Sequence, residues 1–122
     1  MNERLDMIKL APVYKDYIWG GNKLNESFGK KSGLDRTAES WELCIHKDGE
    51  NRIVGGELDG VTLSEYIDKC GQDVLGAHAL EFDRFPVLIK FIDAADNLSV
   101  QVHPSDEYAL ANENEYGKTE GW

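Results

Sequence analysis

A chain of 122 residues, 41% hydrophobic and 10% aromatic, is long enough for one domain with a modest core and too apolar to be disordered. Twenty-three acidic residues against thirteen basic ones give a formal charge of −10, which repels phosphate-rich partners and so excludes nucleic acid and anionic membranes as natural ligands. No stretch approaches the ~20 apolar residues of a membrane span, and Met1 to Met7 lack the apolar run of a signal peptide, so a cytoplasmic protein is expected.

Residues 1 to 37 read as largely irregular, with a short strand at Ile8–Leu10 ahead of Pro12. Trp19 before Gly20-Gly21 marks a turn, and Lys30 to Asp35 reads as a loop. Ser40 to Ile45 alternates, with Trp41, Leu43 and Ile45 on one face, which predicts a half-buried strand. His46 to Gly49 turns the chain, and Arg52–Val54 returns as a second strand.

Thr62-Leu63-Ser64-Glu65 has the spacing of a helix capping box, and Gly71 can close that helix just past Cys70. Gln72 to Leu80 admits a further helical turn. Phe85 to Asp93 is the most apolar run and predicts a buried strand, with Leu98 to His103 as its partner across the turn at Asp96-Asn97. Ser105 can cap a short helix reaching Asn112, and the acidic residues from Asp106 to Glu115 read as a solvated helix and loop. Cys44 and Cys70 lie far apart without CxxC spacing and are expected as reduced thiols rather than a disulfide.

The chemistry concentrates at the C-terminal end. Gln101 and His103, two apart on an expected strand, would share a face, and Glu120 could fold back onto it. An amide oxygen, an imidazole and a carboxylate are donors a divalent metal such as zinc accepts. Alone, a Gln-x-His pair is more often an ordinary polar strand face. His46 and His78 read as surface or hydrogen-bonded residues rather than a fourth ligand.

Five segments in order carry a resemblance. They are Ile18-Trp19-Gly20-Gly21; Ala38-Glu39-Ser40-Trp41-Glu42 with His46 and Gly49; Phe85 to Ala94; Leu98 to Pro104; and Gly117-Lys118-Thr119-Glu120. Together they resemble the N-terminal part of type I phosphomannose isomerases of the cupin superfamily. The resemblance implies a mainly β fold, a cupin-like (jelly-roll) sandwich portion with short helical insertions that is incomplete relative to the family. It implies a single N-terminal domain over residues 1–122, with the family continuing beyond.

The implied function is zinc-assisted interconversion of mannose 6-phosphate and fructose 6-phosphate through an enediol. Gln101, His103 and Glu120 match three of the family's zinc ligands, and Lys118 matches an active-site lysine. Ser99 and Lys90 match residues near the sugar phosphate, and Trp19, first of all a core residue, is a candidate for the sugar pocket. Lys90 and Lys118 would supply local positive charge in an acidic protein. The family's fourth zinc ligand, and its further catalytic Glu and Arg, lie downstream, so the chain reads as a fragment. Self-association or a completing C-terminal segment is then expected. The rival reading is a catalytically silent sugar- or metal-binding module, or one half of a split protein.

Overall fold

The computed structural model describes residues 7–113 and 115–122; the reading of the first six residues as free of a leader lies outside them. Among the described residues, seven short strands and three α-helices follow in order: β1 (Lys9–Ala11), β2 (Val13–Lys15), α1 (Lys23–Glu26), β3 (Glu39–Leu43), β4 (Ile45–His46), β5 (Gly49–Glu50), β6 (Arg52–Val54), α2 (Leu63–Cys70), β7 (Ile89–Ile92) and α3 (Asp106–Asn112). The architecture is mainly β with short helices, as the resemblance implies. Two turns of 3-10 helix, Gln72–Leu75 and Ala77–Glu81, fill the stretch after α2.

The strands form a three-stranded antiparallel sheet in the order β2-β3-β7, and two antiparallel pairs, β1-β6 and β4-β5. In the larger sheet Trp41 lies opposite both Val13 and Lys90. The core under α2 gathers Ile53, Leu63, Tyr66 and Ile67, with Leu10, Leu43 and Ile45 packed around it. Burial of these side chains drives assembly, since each contributes ~1.5–3 kcal/mol when withdrawn from water.

Both expected helix caps form. Thr62 Oγ1 accepts the Glu65 backbone N–H at 3.2 Å, and Gly71, at φ 91°, ends α2 in a conformation that disfavours any side chain. Ser105 Oγ accepts the Tyr108 N–H at 3.3 Å at the start of α3. Cys44 and Cys70 are both free thiols. Burial pushes the Cys44 thiol pKa above its ordinary value.

Four expectations need correction. The supposedly irregular first 37 residues contain β2 and α1. The single strand over 40–45 is instead two, because the Cys44 N–H is taken by Asn51 Oδ1 at 2.6 Å rather than by a neighbouring strand. The run Phe85–Asp93 pairs only from Ile89 to Ile92, on an edge of the sheet, and Val87, Ile89 and Phe91 are half exposed. Its ladder partner is β3, not the segment Leu98–His103. That segment joins no ladder, and Val100 and Val102 are 100% and 87% exposed. It is the expected partner of the apolar run, but among the described residues no neighbour supplies its backbone with ladder hydrogen bonds.

One loop closes against the sheet. Gly20 and Gly21 lie between the start of β3 and the end of β7. The Gly21 N–H reaches the Asp93 carbonyl at 3.1 Å, and the Asp93 side chain accepts the Lys23 N–H at 2.8 Å. A Cβ on Gly20 would sit 2.5 Å from the Ala38 Cβ, so only glycine fits this approach.

Candidate metal and sugar site

The residues picked out at the C-terminal end converge although no strand carries them. Lys118 N–H donates to the Pro104 carbonyl at 3.0 Å, and Gly117 N–H donates to Asp106 Oδ1 at 2.8 Å. These two bonds fold the 117–120 segment back along residues 101–104. His103 Nε2 then contacts Glu120 Oε2. Lys118 Nζ donates to Gln101 Oε1 at 3.1 Å and lies 3.8 Å from Glu120 Oε2. Gln101, His103, Lys118 and Glu120 therefore form one cluster.

The convergence depends on Gly117. A Cβ there would fall 2.5 Å from the Asp106 N, the Pro104 O and the Ser105 C, all of them backbone. None of these atoms can swing aside as a flexible side chain would. Gly117→Ala should therefore push residues 118–120 off residues 101–104 while leaving the α2 core folded. The NMR signals of His103 and Glu120 would lose their mutual nuclear Overhauser contacts; retention of those contacts would contradict the account.

Two further contacts hold the approach to this segment. Lys47, in the turn between β4 and β5, pairs with Glu115, and Arg84 stacks over the Tyr116 ring at 4.4 Å. The Lys47 contact lowers the Glu115 pKa below its ordinary 4.5 and raises that of Lys47 above 10.5. A depressed carboxylate pKa means the pair is fully formed above pH ~4.5 and is lost as pH falls through the lowered value. At the other end it persists to pH ~10.5 and is lost as the raised lysine pKa is passed. Amide shifts of residues 115–118 should hold steady between those limits and move together only outside them. A Glu115 carboxyl carbon that titrates at or above 4.5 would rule the tether out.

Glu120 supplies the anionic donor of the cluster. The hydrogen bond from His103 holds the Glu120 carboxyl below its ordinary range, with help from the charges of Lys118 and Lys90. Glu120 is thus an anion at neutral pH, beside an imidazole nitrogen and an amide oxygen. That mixed nitrogen and oxygen donor set suits zinc, which accepts both types. No cluster of three or more His, Cys, Asp or Glu occurs among the described residues, so the amide of Gln101 is needed to make three donors.

The remaining picked residues are more scattered. Ser99 is exposed on the unpaired segment, within two residues of Gln101. Lys90, on β7, donates to both oxygens of Glu39, at 3.2 and 2.9 Å. Trp19 is buried to 9% exposure, its ring 5.7 Å from that of Tyr17 and its carbonyl accepting the Ala95 and Asp96 N–H groups. His46 sits edge-on to Trp41, and its Nδ1 accepts the Asp48 N–H at 3.1 Å.

Two residues escaped the sequence reading. Glu39 was seen only as part of a motif, yet a lysine within the apolar run 85–93 signals a buried counter-charge somewhere. Asn51, between the expected turn and the strand at Arg52, carries no expectation at all. It is fully buried, and its side chain joins β1, β3 and Cys44. Nothing local in the sequence marks it.

The family model for phosphomannose isomerase type I, catalytic domain, matches residues 7–120. Mannose-6-phosphate isomerase ManA of Bacillus subtilis (strain 168) is 46% identical over 112 residues, covering 91% of this chain and 34% of that protein. The Escherichia coli (strain K12) mannose-6-phosphate isomerase is 33% identical, covering 91% and 30%. The crystal structure of the mannose 6-phosphate isomerase from Bacillus subtilis superposes with a TM-score of 0.79 at 39% identity, over 90% of this chain and 34% of that one. A mannose 6-phosphate isomerase bound with zinc and yttrium gives 0.70 at 33% identity, over 88% and 28%. The chain spans about a third of the length of the curated relatives it matches.

Proposed function

Since this chain belongs to the type I phosphomannose isomerase catalytic-domain family, we propose that it acts in the aldose–ketose isomerisation of mannose 6-phosphate and fructose 6-phosphate. Residues 1–122 would serve as one N-terminal, cupin-related domain of that machinery. The observation that carries the reading is the cluster of Gln101, His103, Lys118 and Glu120.

Gln101, His103 and Glu120 would hold a zinc ion through Oε1, Nε2 and Oε2. Bound zinc would polarise the sugar's carbonyl and hydroxyl oxygens as a Lewis acid. A neutral amide among the donors leaves more of the metal's charge available than a second carboxylate would.

Lys118 acts beside the same oxygens. Its ammonium, already within reach of Gln101 and Glu120, would stabilise the negative charge that builds on a sugar oxygen as a carbon-bound proton leaves. Moving that proton between the neighbouring carbons needs the enediol to be held still and shielded from water. Ser99, Lys90 and Trp19 would border the sugar phosphate. A charged sugar substrate fits a cytoplasmic setting, and no described helix is long and apolar enough to cross a membrane.

The short span relative to the relatives keeps one alternative in play: a silent sugar- or metal-binding module, or half of a split protein completed by another chain. The half exposed Val87, Ile89 and Phe91, with Val100 and Val102, would be covered by that partner or by a second copy. Sedimentation of the 122-residue chain should accordingly show concentration-dependent association. Coupled assay for fructose 6-phosphate formation separates the readings. Turnover by the chain alone supports the isomerase directly, turnover only with a second polypeptide supports the split form, and none in either case leaves the silent module.

A further inference from the structure

The ion pair of Glu39 and Lys90 has a role that charge alone does not explain. Glu39 opens β3 at 4% exposure, and both of its oxygens accept from Lys90 Nζ. Trp41 Nε1, 3.4 Å from Glu39 Oε1, closes the third side. A carboxylate so deeply withdrawn from water must keep a paired cation, and breaking such a pair is costly. Lys90 stands across the sheet from Trp41, and its Nζ reaches both Glu39 oxygens. Its ammonium is therefore both fixed in place and electrically matched.

A dianionic phosphate is recognised by cations whose charge is free, above all arginine and unpaired lysine. A matched ammonium with an N–H to spare is suited instead to an uncharged oxygen, a hydroxyl or a carbonyl. We infer that Glu39 is a positioning residue, which holds Lys90 to serve a neutral oxygen of the sugar and withholds its charge from the phosphate. The inference rests on the sugar-phosphate reading for the identity of the ligand, and narrows it: the phosphate must be met by other cations.

The test begins with the unaltered chain. Under limiting amine acylation followed by mass spectrometry, Lys90 should react at least tenfold more slowly than exposed Lys69. Inorganic phosphate binding, followed by NMR shifts, should change less than twofold in Lys90→Met. In Glu39→Gln the acylation rate at Lys90 should rise, and phosphate should bind at least threefold more tightly, a gain that Glu39→Gln/Lys90→Met removes. Labelling of Lys90 as fast as Lys69, a loss beyond twofold in a folded Lys90→Met, or a folded Glu39→Gln without the gain would each overturn the inference. Should Glu39→Gln fail to fold, Glu39→Asp takes its place: the shorter carboxylate loosens its hold on Lys90, so labelling should quicken and phosphate bind more tightly, and a folded Glu39→Asp with neither change would overturn the inference. None of these measurements needs zinc or turnover, so a failed isomerase reading would show separately.

Discussion

Replacing His103 by alanine should weaken zinc binding by the 122-residue chain at least ~100-fold, because partners one layer further from a metal already cost 10–100-fold when removed. Removing His103 deletes one of the three donors outright, while Glu120 stays ionised at neutral pH with or without it. His103→Ala should leave the fold intact, since the imidazole is part exposed and lies outside the α2 core. Calorimetric zinc titration at neutral pH reads the effect. Equal affinity in the two chains would remove His103 from the metal site and take the proposed ligand set with it.

The second large effect lies in the scaffold. Asn51→Ala should destabilise the fold by ~3 kcal/mol or more, on the basis of ~1–3 kcal/mol for each buried group left without a partner. The Asn51 side chain accepts the Cys44 N–H at 2.6 Å and donates to the carbonyls of Ala11 at 3.0 Å and Trp41 at 2.9 Å. Its own carbonyl receives the Leu63 N–H, at the start of α2, at 3.0 Å. Alanine keeps the last bond and orphans three backbone groups where little water can enter. A domain of this size has only ~5–15 kcal/mol to lose, so much of its stability would go. Urea denaturation at 25 °C measures it, and a cost below ~1 kcal/mol would show that the groups find other partners.

The two effects differ in how visible they were beforehand. His103 sits in a spacing with chemical meaning, next to Gln101, and followed by Lys118 and Glu120. Asn51 carries no such mark. Its importance comes from the break between β3 and β4, where Cys44 leaves the ladder and needs a donor's partner from elsewhere.

The local sequence by itself determined the capped helices α2 and α3, the strands β1 and β6 to within a residue, and which side chains to watch at the C-terminal end. Caps and alternating short strands are set by neighbours a few residues apart, so pattern suffices. Only the tertiary structure decided that Leu98–His103 joins no ladder, that β7 pairs with β3, and that Glu39 answers Lys90 across 51 residues of chain. Strand pairing and the matching of buried charge depend on what lies alongside in space. The hydrophobic run at 85–93 is the same whether it is covered on both faces or stands at an edge, and composition cannot tell those cases apart.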